Sequence, residues 1–177
     1  MTADSKALTL RFRTWLVLFI LGVVLSGITA FPLVWEVDLL NRMVGPETPV
    51  ARLCPPLAAW IGTVHEGLQH MHAAYPFIFY GTDWLAFGHL VIAIAFWGPL
   101  RDPVRNKWVI DFGIIACVLV IPLAMICGPI RHIPFFWRLI DCSFGVAGIL
   151  PLLICRHYIG QLERIPAPQK SGDRQYS

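Results

Sequence analysis

WLVLFILGVVLSGITAFPLV, Trp15–Val34, decides the fold: no charged residue occurs anywhere between Arg13 and Glu36. At about 1.5 Å of rise per residue a helix of this length covers roughly 30 Å, the thickness of a bilayer's hydrocarbon core. The run therefore reads as a membrane-crossing helix over about residues 14–34. A cleaved signal peptide is the competing reading, because Lys6, Arg11 and Arg13 precede the apolar stretch. The span is long for a signal h-region, however, and Ile28 to Ala30 makes a poor small-residue cleavage site.

Three further spans follow outward from the first, over about 83–100, 108–129 and 134–156. The second and third are uncharged over nearly their full length apart from Asp111 near one end. The fourth is irregular. Its uncharged stretch, Cys142 to Cys155, is too short to cross alone, so the helix must begin near Pro134 and carry Arg138 and Asp141 at or inside the membrane. Gly98-Pro99 and Gly128-Pro129 follow the second and third spans and read as helix stops.

The composition agrees with a membrane protein. Of 177 residues 56% are hydrophobic and 14% charged, with a mean hydropathy of +0.64; soluble domains run closer to about 25% charged. The expected architecture is all-α, one four-helix transmembrane domain over 1–162 with a disordered cytoplasmic tail over 163–177.

Orientation follows from the basic residues. Lys6, Arg11, Arg13, Arg101, Arg105, Lys107, Arg156, Arg164, Lys170 and Arg174 fall on one side, and Arg42, Arg52, Arg131 and Arg138 on the other. The richer side reads as cytoplasmic, placing both termini inside a plasma membrane, as in a bacterial inner membrane. The net charge of +3 lies at helix ends and gives no reason to expect nucleic acid.

The segment 35–82 is then extracytoplasmic. Within it Pro55 and Pro56 can open a helix, and Leu57, Trp60, Ile61, Val64, Leu68 and Met71 recur at spacings near three and four. That period predicts an amphipathic surface helix over about 57–72.

Chemistry collects at this outer side. His89 lies about six residues into the second span and Asp141 about seven into the fourth, both roughly 9–10 Å deep at the helical rise. Arg138 is one turn above Asp141, and Asp83 marks the rim. Ionisable groups within a span are functional candidates by default. His89 is a candidate base or ligand, Asp141 its orienting carboxylate, and Arg138 an anion clamp for a lipid or small-molecule headgroup. The bland alternative is an Arg138–Asp141 ion pair with His89 as structural glue.

His65, Glu66, His70 and His72 supply imidazole and carboxylate on one helix, as a divalent metal would require. The Glu66-to-His70 spacing is one residue too long for HExxH, so that motif is absent. Haem is not expected, because only His89 is well inside a span and His157 sits at the opposite edge. Cys127 and Cys142 are near enough in register to pair. The expected function is binding or chemistry at an outward-opening polar site. The expected partners are the bilayer, a lipid or small molecule, and other membrane proteins or further copies. A non-catalytic accessory subunit is the rival reading, in which Gly22, Ser26, Gly145 and Gly148 are packing contacts.

Overall fold

The computed structural model describes residues 3–165, which contain helices and no strand. The expected tail lies outside the described residues beyond Ile165. In chain order the elements are α1 (Ala3–Thr29), α2 (Leu33–Val44), α3 (Val50–Leu53), α4 (Pro55–Ala74), a 3-10 turn (Pro76–Phe79), α5 (Tyr80–Ala95), α6 (Trp97–Arg101), α7 (Lys107–Ile130) and α8 (Phe135–Glu163). Four helical stretches are long and apolar enough to cross a membrane: Ser5–Thr29, Pro76–Arg101, Lys107–Ile130 and Phe135–Glu163. Their outer faces carry exposed Leu25 (60%), Ile94 (70%) and Leu123 (61%), a surface that matches hydrocarbon rather than water.

The four long helices run alternately up and down. α1 packs against α5 and α8, and α8 packs against α7. The remaining side, between α5 and α7, is bridged where α6 meets α7 and where the Phe96 ring would meet any Cβ placed on Gly113. Polar contacts fasten the basic end. Arg156 Nε donates to Asp111 Oδ1 at 2.6 Å, Lys107 Nζ to Glu163 Oε1 at 3.0 Å, and Arg13 Nε to the Leu100 carbonyl at 3.1 Å. The solid core lies at this same end, where Phe12, Leu16, Phe19, Phe96, Ile110, Leu152, Cys155 and Ile159 pack together. Phe19 and Phe96 bring their ring centroids to 4.8 Å.

Helix boundaries depart from the expected ones for physical reasons. α1 starts at Ala3 rather than near residue 14, because Lys6, Arg11 and Arg13 end an apolar run without ending a helix. It stops at Thr29, short of Val34, and the chain re-enters a separate helix, α2, that no expectation covered. α8 extends to Glu163, a turn and more past residue 156.

The two Gly-Pro pairs are not helix stops. Among the described residues no glycine has positive φ, so neither pair forms the left-handed cap. Gly98-Pro99 lies inside α6, where Asn106 Nδ2 donates to the Gly98 carbonyl at 3.2 Å. Gly128-Pro129 lies in the last turn of α7, and a Cβ on Gly128 would strike the Arg138 Cδ and Cγ. The glycine there makes room for an arginine stem on the neighbouring helix.

Opposite the basic end, α2, α3 and α4 form a small layer of their own, α2 packing on α4 and α3 joining both. The predicted helix over 57–72 is present as α4, with Ala58, Ile61 and Gly62 buried and Leu57, Trp60, Val64, Leu68 and Met71 partly covered. Trp60 reaches the start of α8, its ring centroid 6.4 Å from that of Trp137.

Candidate functional site

Directly above the solid core the bundle carries a half-open apolar pocket. A chamber of about 440 Å³ lies among all four long helices, a size typical of small-molecule sites, which run about 300–1,000 Å³. Small residues line it, Gly22 on α1, Gly113 and Ala116 on α7, and Gly145, Ala147 and Gly148 on α8; the α7 and α8 glycines mark close approach, and the open space lies beside Gly22. Nothing lies within 4 Å of where a Gly22 Cβ would be.

The helix directions order the lining. Trp15, Phe96, Phe112 and Pro151 close the floor toward the basic end, whereas Ser26, His89, Val120 and Phe144 form the roof. Along the four helices the lined stretch is roughly 10–16 Å long at the helical rise. The wall is overwhelmingly apolar; its polar side-chain groups are His89 and Ser26 at the roof, Cys117 midway and the Trp15 indole N–H at the floor.

His89 is held on two sides. A Cβ on Gly27 would lie 2.8 Å from the His89 Cβ and 3.1 Å from the Ala86 carbonyl oxygen, so α1 and α5 touch almost backbone to backbone at this level. The ring's Nδ1 then donates to the Leu85 carbonyl one turn back at 2.8 Å. Ser26 contributes its carbonyl to Thr29 Oγ1 at 3.2 Å.

The other predicted residues stand apart from it. Arg138 belongs to the α7–α8 seam, its stem against Gly128 and its guanidinium carbon 5.1 Å from the Phe135 ring centre. Its Nε is buried without a hydrogen-bond partner. Among the described residues no ion pair joins it to Asp141, and of the three ionisable groups expected at one depth, His89 sits against α1 and Arg138 in the α7–α8 seam. Asp83 lines a separate, shallow depression of about 240 Å³ with Tyr80, Trp84 and Phe87.

On α4, His65 Nε2 lies 3.2 Å from Asp38 Oδ1, and Asp38 also pairs with Arg42 at 2.7 Å. Glu66 and His70 are exposed, and His72 sets its ring edge-on to Phe79 at 5.5 Å. Among the described residues no group of three or more His, Cys, Asp or Glu side chains gathers as a metal site would require. All five cysteines are free, Cys127 and Cys142 included.

Sequence reasoning named His89 among its candidates and did not foresee the pocket that His89 lines. The available signal was the recurrence of small residues facing one another: Gly22, Gly113, Ala116, Gly145 and Gly148. Three of these are close contacts: a Cβ on Gly145 would lie 2.5 Å from the Cys117 carbonyl oxygen, one on Gly148 2.8 Å from Cys117 Sγ, and one on Gly113 2.7 Å from Phe96 Cζ. Gly22 instead opens onto space. Asp38, the partner of His65, was also overlooked, because their contact joins residues 27 apart in sequence. No family model matches the chain, and no curated protein or solved structure matches it either.

Proposed function

We propose that this chain is a multi-pass membrane protein that takes an apolar-bodied molecule of the bilayer into the chamber between α1, α5, α7 and α8, holding its polar end at His89. One observation carries the reading: the hollow is walled by hydrocarbon and glycine along its length and has an imidazole at one end only. A lipid-like molecule has that same division, a long apolar body with a single polar terminus. Burying its tail gains about 0.8 kcal/mol per methylene if the alternative is water. From a bilayer that gain largely vanishes, so the polar terminus and the shape of the chamber select the occupant.

The side between α5 and α7 supports entry from the bilayer, since those helices do not pack along one another. The arrangement of charge supports the orientation: of the described lysines and arginines, eight lie at the end holding the termini and four at the other. The roof of the chamber then faces the extracytoplasmic half of a plasma membrane, beneath the layer of α2, α3 and α4. This keeps the outward-facing site expected from sequence and narrows its chemistry from a cluster of charges to one imidazole above an apolar space.

The test is to fill the space. Ala116 lines the chamber from α7, so Ala116→Phe adds a ring to its wall on a helix other than that of His89. Native mass spectrometry of the purified wild type should show a bound lipid-like species at near one copy per chain, and the Ala116→Phe protein should lose it while keeping its helical circular dichroism. Equal ligand content in the two proteins would sink the proposal.

A further inference from the structure

We infer that the occupant of the chamber is a hydroxyl-terminated amphiphile whose O–H donates to Nε2 of His89. This rests on the chamber being a ligand site, and it follows from which atoms are left with capacity to bond. The Leu85 carbonyl can only accept, so its 2.8 Å contact obliges Nδ1 to carry the hydrogen. In the neutral ring the hydrogen bond of one nitrogen fixes the state of the other. Nε2 is therefore a bare lone pair, and among the described residues it has no protein partner.

A second acceptor lies lower in the same wall. Pro151 has no N–H, so the Ala147 carbonyl on the preceding turn of α8 lacks its usual helical donor, and both residues line the chamber. Ser26 offers a hydroxyl that can serve either way, and Cys117 only a weak thiol donor. At the roof the open capacity is therefore the His89 acceptor, while the Trp15 indole N–H donor lies at the floor, the far end of the lined stretch. A ligand ending in an ether, ester or ketone would bring another acceptor to an imidazole lone pair and leave both unsatisfied in an apolar space. A carboxylate would add charge with no cation lining the wall. An alcohol, whether on a straight chain or a ring system, supplies the donor that Nε2 lacks at the roof and can accept from Ser26 in return.

The experiment compares dodecan-1-ol with dodecyl methyl ether, which has an equally apolar body and no donor. Binding of tritiated dodecan-1-ol to protein purified in a fluorinated detergent, with displacement by the ether, gives both affinities. The wild type should prefer the alcohol by roughly tenfold, the scale of one net hydrogen bond. His89→Phe, which keeps the ring and removes the acceptor, should bind the two probes equally at the level of the ether. Equal affinities in the wild type would overturn the inference and leave the chamber reading standing, because the apolar body would still be bound. If neither probe binds, the chamber reading fails and takes the inference with it. The comparison on the wild type stands even if His89→Phe does not fold.

Discussion

Replacing Gly145 and Gly22 by alanine makes the same chemical change on two walls of one chamber, and the structure requires opposite outcomes. Alanine in a helix interior is favoured over glycine by roughly 0.5–1 kcal/mol. At Gly22 nothing lies within 4 Å of the new methyl, so that gain is unopposed. At Gly145 the methyl would lie 2.5 Å from the Cys117 carbonyl oxygen and 3.3 Å from Val120 Cβ.

A carbon–oxygen contact settles at about 3.3 Å or more, so α7 and α8 must part by about 0.8 Å along this seam. A gap of that size forfeits roughly a quarter to a half of each dispersion contact it opens. Overpacking costs about 1–3 kcal/mol, and the obstacle here is backbone, which places the cost in the upper part of that range. After the helix-propensity gain the net loss is about 1–2 kcal/mol. At about 2–4 °C per kcal/mol for a chain of this size, Gly145→Ala should lower Tm by roughly 2–8 °C and Gly22→Ala raise it by roughly 1–4 °C. With the exposed Cys54 and Cys127 replaced by serine, a maleimide dye that fluoresces on reaching the buried Cys142 and Cys155 thiols reads both transitions in detergent. Shifts of equal size and sign would refute the contact reasoning.

Two other outcomes can be checked with little effort. Cys54 is exposed and lies between α3 and α4, so a membrane-impermeant maleimide should label it in intact cells and Cys54→Ser should abolish that signal; labelling only after lysis would reverse the proposed orientation. Asp111→Asn removes a 2.6 Å ion pair whose partners are 35% and 44% exposed, so the loss should be no more than about 1 kcal/mol and smaller still in high salt. A fall in Tm beyond about 10 °C, several times what that energy allows, would show the pair sealed from water.

The four long helices were legible because length and the absence of charge are local properties that a bilayer-crossing helix demands. The period of Leu57, Trp60, Ile61, Val64 and Leu68 gave α4 for the same reason. α2 was not foreseen, although its apolar and charged residues alternate at helical period; it lies between the first span and α4, and the contact that anchors Asp38 is with His65 on another helix. Gly98-Pro99 and Gly128-Pro129 misled because glycine serves close approach as well as caps, and only the neighbouring Asn106 and Arg138 show which.

The candidate site divides along similar lines. Depth along a helix can be counted from its end, so His89, Arg138 and Asp141 were correctly read as lying within helices. The angle each presents around the bundle depends on packing, and it puts His89 beside α1 and Arg138 beside α7. The chamber is a gap in volume, which has no signature along a sequence until facing helices are known.

The contact between Gly27 and His89 has an entropic meaning. Ordering a free side chain on binding takes roughly 0.5–1.5 kcal/mol from affinity. With its Cβ against α1 and its Nδ1 tied to Leu85, the imidazole has already lost that freedom when the chain folds. Residue 27 never meets an occupant of the chamber, yet a side chain added there would push on the ring and on the backbone of α5 together. Changes at 27 and 89 should therefore be strongly non-additive in affinity, with a glycine setting the aim of a histidine from another helix.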